Sequence, residues 1–403
     1  MNWSKQQDRA LKEVGAWLRK PGRDRQLYRL FGHAGTGKTT LARHLAEGVD
    51  GAVLFAAYTG KAASVLKARG CDNAQTLHSL IYHPKERSRE RADKLKADLM
   101  RLQRHAQDRP DAEEQIMRLK EELSAEEKNA QRPDFTLNLE SPLKDAALLV
   151  VDECSMVDET MAKDILSFGT PVLALGDPAQ LPPLRGTGYF TDAKPDTMLT
   201  EIHRQAKDNP IVELATLARN GEPIRLGNYG TSSVVSKTTP ELALAANQIL
   251  VGRNATRRSV NRRIRQLRGH DQSPWPLAGE RLVCLRNNRE LGLLNGALHE
   301  CLEDACEAGR YVNLRVRPEE GGESLTVPAH TEHFLGDAEQ IGHWDRRDAQ
   351  EFEFGYALTV HKAQGSQWGK VVLIDEWDAR ATRRRWLYTA ITRAEESLTI
   401  VRG

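Results

Sequence analysis

The stretch GHAGTGKT occupies residues 32–39, and the fold predicted for the rest of the chain follows from it. It fits the pattern G-x-x-x-x-G-K-[ST], in which glycines let the backbone wrap a phosphate and the lysine approaches the outer phosphates. A short apolar strand is predicted just before it, over 26–31, and a helix over 39–47. Since this strand, loop and helix order makes the pattern specific, the stretch predicts a triphosphate-binding loop.

Strand and helix patterns continue to alternate outward from this loop. A helix is predicted over 3–19, and further strands are predicted over 52–57, 146–151 and 171–175. A second group of short strands begins near residue 248 and continues to residue 401. Alternating strands and helices are typical of an α/β protein with mostly parallel sheets, and we predict that fold class.

Two adjacent carboxylates, Asp152 and Glu153, follow the apolar run 148–151. A carboxylate at such a strand end is suited to hold the Mg²⁺ that accompanies ATP, and a second one can orient or deprotonate an attacking water. Gln180 lies in a proline-containing loop after the next predicted strand. Because an amide can donate to a phosphate and accept from a water, these residues predict ATP hydrolysis as well as ATP binding.

Length and composition restrict the class of protein. The chain has 403 residues, enough for two or three domains, and its formal net charge is +2 from 58 basic and 56 acidic residues. With no net attraction to polyanions, any nucleic-acid contact must come from local patches. No apolar run is long enough to span a membrane, and the first residues lack a secretion signal, so we expect a cytoplasmic protein without membrane contact.

These residues and several others resemble the superfamily 1B DNA helicases, in particular the RecD-like and bacteriophage Dda-like branch. The resemblance covers nearly the whole chain, and its motifs occur in the order of that family. They lie at residues 3–10 (Q motif), 32–39 (P-loop), 59–63 (Ia), 76–79, 152–156 (II), 176–183 (III), 199–205 (IV), 359–366 (V) and 388–394 (VI).

The resemblance implies two RecA-like P-loop domains with parallel sheets, over 1–188 and 189–403. The first would carry a charged helical hairpin over about 84–132, with a candidate strand-separating wedge at 133–141, so that the whole insertion covers about 84–140. A β-rich insertion over about 282–354 would be an SH3-like module. The residues alone leave open whether the hairpin is only a solvated, charged excursion.

The pattern and the resemblance together name candidate residues for the ATP site. Nucleotide contacts are expected from Gln7, Gly32, Gly35, Thr36, Gly37, Lys38, Thr39, Thr40 and Gly365. Mg²⁺ would be held by Thr39 and Asp152. Catalytic roles are expected for Lys38, Glu153, Gln180 and two arginine fingers, Arg204 and Arg393. Each arginine taken alone could equally form a surface ion pair.

Contacts with single-stranded DNA are expected in both domains. The candidates are Tyr58, Thr59, Lys61, Thr76, His78, Thr359, His361 and Lys362. Tyr58 replaces the proline that often precedes motif Ia in this family, and its ring can stack on a base. A structural hydrogen bond is as good an interpretation as a DNA contact for any one of them.

The resemblance implies an ATP- and Mg²⁺-dependent DNA helicase that moves 5′→3′ on single-stranded DNA and acts at junctions of single and double strands. We expect a monomer in a bacterial cytoplasm, or in the host cytoplasm if a phage encodes it. A single-strand binding protein and replication or recombination proteins are further candidate partners. Two alternatives stay open: a RecD-like accessory ATPase subunit of a helicase–nuclease complex, and a translocase that displaces proteins without unwinding.

Overall fold

The computed structural model describes residues 3–19, 25–84, 90–104, 112–130, 135–183, 188–201, 209–288, 290–342 and 345–402. Its helices are α1 Lys5–Leu18, α2 Lys38–Glu47, α3 Gly60–Ala68, α4 Leu77–Ile81, α5 Glu90–Arg104, α6 Ala112–Ala130, α7 Glu159–Ser167, α8 Pro210–Asn220, α9 Pro240–Ala245, α10 Asn254–Leu267, α11 Glu332–Leu335 and α12 Arg383–Ile391.

Its strands fall into three sheets and one separate pair. They are β1 Leu27–Gly32, β2 Val53–Ala57, β3 Gln75–Thr76, β4 Tyr82–Pro84, β5 Phe135–Leu137, β6 Leu148–Asp152, β7 Val172–Gly176, β8 Thr197–Leu199, β9 Gly227–Tyr229, β10 Ser232–Val235, β11 Gln248–Val251, β12 Arg281–Cys284, β13 Leu298–Cys301, β14 Cys306–Ala308, β15 Tyr311–Pro318, β16 Leu325–His330, β17 Phe352–Phe354, β18 Ala357–Thr359, β19 Trp368–Ile374 and β20 Ala394–Val401.

The first sheet is parallel throughout and has the order β3-β2-β6-β7-β1-β8. Successive residues of β6 point to opposite faces, so Leu148 and Val150 pack with one layer of helices and Leu149 and Val151 with the other. Both faces are covered, which explains the unbroken apolar runs in the sequence. The order places the carboxyl ends of β6, β7 and β1 side by side, and the predicted α/β class is confirmed.

The second sheet has the order β18-β11-β19-β20-β10-β9 and is parallel except for the edge strand β9. One face packs against α8 and α12, where Trp386 is completely buried, and the other packs against α10. In the first sheet, β8 pairs with β1 through Leu30 and Thr197. The first sheet therefore continues past residue 188, where the sequence predicts the division between domains.

Two further units project from these sheets. Strands β12 to β17 form an antiparallel sheet within the segment predicted as an SH3-like module, an identification that stays a prediction. Helices α5 and α6 contact each other in the segment predicted as a charged hairpin. They interrupt the chain between β4 and β5, which pair antiparallel, with Tyr82 opposite Leu137. In the described part of the chain, no helix has both the length and the hydrophobicity needed to cross a bilayer.

Candidate nucleotide site between the two lobes

The loop between β1 and α2 has the backbone geometry of a phosphate cradle. Gly35 and Gly37 have φ of 76° and 78°, a left-handed conformation that side chains with a Cβ rarely adopt. A Cβ on Gly32 would lie 2.6 Å from Thr36 Oγ1 and 2.8 Å from Leu199 Cβ, so packing also requires glycine there. The amino-terminal end of α2, with its unpaired N–H groups, follows directly and favours an anion.

Three of the predicted polar side chains lie at this loop. Lys38 Nζ lies 2.7 Å from the carbonyl oxygen of Gly32 and 3.1 Å from that of His33. Thr39 Oγ1 lies 2.8 Å from Asp152 Oδ2, at the end of β6. In Mg²⁺ sites the protein typically supplies only one or two ligands, such as a hydroxyl and a carboxylate. Phosphates and waters supply the remaining ligands. These residues fit a magnesium–nucleotide complex.

Glu153 has a strained backbone. Its φ of 50° is the one positive value among the described residues other than glycine, and such strain often occurs at functional sites. Burial raises the pKa of its carboxyl, opposed mainly by the charge of Arg393, while Asp152 raises it and Lys38 lowers it to smaller extents. A carboxyl with a raised pKa is a better proton acceptor than an ordinary glutamate once it is ionised.

The loop after β7 carries Gln180, which is 5% exposed. Its Oε1 is buried and accepts no hydrogen bond from the described residues. Buried acceptors without a partner are rare in folded proteins, so this oxygen fits a role toward a bound group or its water. The same loop begins with Asp177, whose carboxylate faces the P-loop and lies 3.5 Å from His33 Nδ1.

Gln7 lies at the P-loop, and its side-chain amide bonds to backbone atoms there. Its Nε2 donates to the carbonyl oxygen of Thr36 over 3.1 Å, and its Oε1 accepts from the Ser4 N–H over 3.0 Å in the capping box of α1. These bonds fasten the start of α1 to the loop. The contact with adenine that the resemblance implies stays a prediction. Thr40 is exposed on α2.

Arg393 belongs to the second lobe, by which we mean the second sheet and its helices, and its charge acts on Glu153 of the first sheet. It is 3% exposed and donates to the carbonyl oxygens of Thr389 and Ser366 and to Thr392 Oγ1, over 3.1 to 3.2 Å. Arg204, the other predicted arginine finger, lies outside the described residues.

Gly365, a predicted nucleotide contact, lies against the first lobe. A Cβ on Gly365 would lie 3.0 Å from Ala62 Cβ and 3.2 Å from Thr59 Oγ1, so this glycine packs against the start of α3. The close approach and its φ of 79° account for the glycine. It joins motif V to motif Ia across the two lobes.

The predicted DNA contacts of the first lobe have structural partners. Thr59 and Thr76 cap α3 and α4, accepting hydrogen bonds from Ala62 N and Ser79 N over 3.2 and 3.1 Å. Both hydroxyls therefore have the structural role that the sequence left open. Lys61 pairs with Glu320, in the turn between β15 and β16.

Aromatic rings surround His78. Its ring centre lies 5.6 Å from that of Tyr58 and 5.4 Å from that of Phe135, which is 42% exposed. Tyr82 completes the group, 5.6 Å from Phe135 in a stacked arrangement. Burial lowers the pKa of His78, which favours the neutral ring. Phe135 lies in the segment predicted as a wedge.

In the second lobe, the three predicted DNA contacts lie at or just beyond the end of β18. Thr359 is buried, and its hydroxyl accepts from Lys362 N over 3.3 Å. The His361 ring lies 5.4 Å from Trp377, and burial lowers its pKa. Lys362 is exposed.

Sequence reasoning missed the residues that join the lobes. Leu181, in the loop after β7 of the first sheet, is 1% exposed and packs in the core of the second lobe. Its N–H donates to Thr389 Oγ1 over 3.0 Å, and its carbonyl oxygen accepts from Gln364 Nε2 over 3.1 Å. Motifs V and VI contain these polar residues, but only the fold shows that they are buried against motif III.

Two family models match the chain. Residues 4–239 match the AAA domain, and residues 354–401 match the UvrD-like helicase C-terminal domain. The chain is similar to the ATP-dependent RecD2 DNA helicase of Deinococcus radiodurans, with 28% identity over 277 residues that cover 62% of this chain and 35% of that protein. It is also similar to the RecBCD enzyme subunit RecD of Mycolicibacterium smegmatis, with 26% identity over 283 residues that cover 63% and 50%. The chain thus spans between about a third and a half of these relatives' length.

Solved structures of similar fold include two Pif1 proteins. Bacteroides Pif1 bound to ssDNA has a TM-score of 0.55 and 15% identity, over 99% of this chain and 92% of that one. The Pif1 helicase from Candida albicans has a TM-score of 0.51 and 18% identity, over 100% and 94%. At these identities the likeness concerns the fold, and it confirms the predicted α/β architecture of two domains.

Proposed function

We propose that this chain, which belongs to the AAA domain family, is an ATP-driven helicase on single-stranded DNA and a member of the RecD- and Pif1-like group of superfamily 1B. Both curated relatives described above carry helicase or RecD names, and these activities come to this chain as a proposal. The direction 5′→3′, a monomeric state and action at junctions of single and double strands belong to the same proposal.

The position of Leu181 carries the proposal. The loop from Asp177 to Gln180 lies beside the P-loop, and the next residue is buried in the second lobe and bonded to Gln364 and Thr389. A change at the phosphates that moves this loop must therefore move the second lobe as well. Such coupling is what a motor needs to convert hydrolysis into a change of distance between two DNA-binding lobes.

We assign the chemistry of the site to seven residues. Lys38 binds the outer phosphates, and Thr39 and Asp152 hold Mg²⁺, which when bound supplies charge neutralisation at those phosphates. Glu153 orients and deprotonates the attacking water, and Gln180 is the second residue that bonds to this water. Arg393 stabilises negative charge from the opposite lobe, a role that we also propose for Arg204.

Lys61 is a candidate in the first lobe for a contact with a DNA phosphate, and its charge is held in an ion pair with Glu320. We expect Lys61→Ala to weaken binding of single-stranded DNA and to lower the salt slope of the binding constant by about 0.7, the value for one phosphate on a single strand. Glu320→Gln should have the opposite effect, because it releases Lys61 from its ion pair. Lys67→Ala is the matched control, since Lys67 is exposed on the same helix. Fluorescence anisotropy at several salt concentrations measures all three.

An unwinding assay tests the function. The isolated chain is mixed with a duplex carrying a 5′ tail, a 3′ tail or no tail, with and without ATP and Mg²⁺. We expect ATP-dependent separation of the 5′-tailed duplex alone, and no separation by the variant Glu153→Gln. Separation of only the 3′-tailed duplex would overturn the direction.

Two other outcomes identify the alternatives. Displacement of streptavidin from a biotinylated single strand without any unwinding would favour a translocase. ATP hydrolysis stimulated by single-stranded DNA, with neither unwinding nor displacement, would favour an accessory ATPase subunit like the RecD relative. Hydrolysis that ignores single-stranded DNA would contradict all three.

A further inference from the structure

One hydroxyl joins both lobes at the nucleotide site. Tyr388 belongs to α12 of the second lobe and is 2% exposed. Its hydroxyl accepts a hydrogen bond from the Ala34 N–H, in the P-loop, over 3.1 Å. The same hydroxyl donates to Asp177 Oδ2, at the start of the loop that carries Gln180. Tyr388 therefore touches two of the segments that surround the phosphates.

The direction of these two bonds is determined by charge. Burial opposes ionisation of Asp177, but the nearby His33 ring, the charge of Lys38 and the bond from Tyr388 lower its pKa below the usual value, so the carboxylate is ionised. An ionised carboxylate only accepts, so the Tyr388 proton points to Asp177 and its lone pair faces Ala34. The other oxygen, Oδ1, accepts from Ala179 N over 3.0 Å.

We propose that Tyr388 is a positioning residue that couples closure of the lobes to the conformation of the P-loop and the Gln180 loop. This inference rests on the proposed function and deepens it. When the lobes are closed, the hydroxyl holds Ala34 and Asp177 in one arrangement. When α12 moves away with its lobe, both bonds break together, because they share one oxygen.

The position of Tyr388 on its helix links it to the proposed arginine finger. Arg393 lies five residues further on, just after the end of α12, and donates to the carbonyl oxygen of Thr389 on that helix. A shift of α12 therefore moves Tyr388 and Arg393 together. P-loop N–H groups are the donors that bind phosphates, so the bond to Ala34 places the Tyr388 hydroxyl on the segment that a nucleotide would contact.

The test is Tyr388→Phe, which keeps the ring and removes the hydroxyl. We expect kcat for ATP hydrolysis at saturating single-stranded DNA to fall about tenfold, the size of effect for one hydrogen bond to a charged group. The KM for ATP should change less than twofold, because Lys38 and Thr39 remain in place. The matched control is Tyr356→Phe, another buried tyrosine, whose hydroxyl donates to Glu280 and touches no residue of the first lobe in the described structure.

Asp177→Asn provides the second variant. The new amide can donate to the Tyr388 hydroxyl, which then no longer needs to donate to residue 177. We expect this variant to show the same fall in kcat with little change in KM. The double variant should be no slower than the slower single one. Additive losses, an equal loss in Tyr356→Phe, or a rise in KM without loss of kcat would overturn the role of Tyr388. If Tyr388→Phe lowers the melting temperature, the kinetic split in Asp177→Asn still decides.

The inference and the proposed function fail differently. A wild-type chain that hydrolyses ATP in response to single-stranded DNA, together with a Tyr388→Phe variant of equal kcat, would overturn only the role of Tyr388. A wild-type chain that hydrolyses no ATP would overturn the proposed function and this inference with it.

Discussion

Lys38→Ala is expected to abolish ATP hydrolysis while leaving binding of single-stranded DNA largely intact. The Lys38 ammonium lies against the carbonyl oxygens of Gly32 and His33, at the mouth of the P-loop, with no carboxylate in direct contact among the described residues. Its positive charge is therefore available to phosphate oxygens. Removal of one preorganised charge from such a site costs about 10² to 10³ in kcat, and the loss of phosphate binding reduces turnover further.

Two measurements make this result specific. Lys163→Ala is the control, because Lys163 is an exposed lysine on α7 that pairs with Glu159, and its kcat should equal that of the wild type. Fluorescence anisotropy on an oligonucleotide should give the same affinity for the wild type and Lys38→Ala, since the proposed DNA contacts lie on other segments. Turnover by Lys38→Ala near the wild-type rate would show that the P-loop assignment is wrong.

The sequence predicts those parts of the fold whose conformation is determined by residues close together in the chain. The apolar runs of β6 and β7 are buried on both faces, so their composition alone identifies them as central parallel strands. The P-loop is similar, because Gly35 and Gly37 meet a conformational requirement of their own backbone. The predicted strand 52–57 and helix 39–47 also agree closely with β2 and α2.

The caps at Thr59 and Thr76 are accessible to sequence reasoning, which leaves a structural hydrogen bond and a DNA contact equally open for both residues. Each threonine precedes a helix directly, the position at which a hydroxyl typically accepts from a backbone N–H. The resemblance to motif Ia and the following motif adds a functional interpretation beside this local one. The same threonine can have both roles, since a hydroxyl that accepts a hydrogen bond in a helix cap can still donate one to a phosphate.

Contacts between distant segments could not be predicted. The burial of Leu181 in the second lobe depends on how two sheets meet, and the pairing of Lys61 with Glu320 joins residues 259 positions apart in the sequence. Strand β8 has only three residues, too few for a period-two pattern, and its place beside β1 follows from the sheet order. The sequence does not identify Tyr388 as a residue that joins the lobes, because a tyrosine beside apolar helical residues is equally well interpreted as part of the core.

These distant contacts determine how charge is balanced at the site. Asp152, Glu153 and Asp177 bring three carboxyl groups to the ends of β6 and β7. Lys38 supplies a positive charge from the first lobe and Arg393 one from the second. Addition of a triphosphate increases the negative charge, so its presence favours the arrangement in which Arg393 is near. Electrostatics thus gives a physical reason for nucleotide binding to close the lobes.

Arg393→Ala is expected to lower kcat by about 10³, as for other arginine fingers, with little change in affinity for ATP. Three of its five N–H groups donate to Thr389, Ser366 and Thr392, which holds the guanidinium rigid and leaves two for a phosphoryl oxygen. Arg204→Ala should behave alike if motif IV supplies the second finger. Steady-state ATPase assays at saturating oligonucleotide measure both.

Loss of Arg393 also removes a donor from the carbonyl oxygens of Thr389 and Ser366, of which Thr389 keeps its bond from Thr392 Oγ1, so a fall in stability must be separated from a fall in catalysis. Arg393→Lys retains the positive charge but loses the planar guanidinium group. We expect its kcat to differ from that of Arg393→Ala by less than about tenfold. Arg385→Ala is the control, because Arg385 is exposed on the same helix. Melting temperatures of all three variants should stay well above the assay temperature. A variant Arg393→Ala that keeps its kcat and loses only affinity for ATP would refute the finger, because a group that acts on the transition state must change the rate.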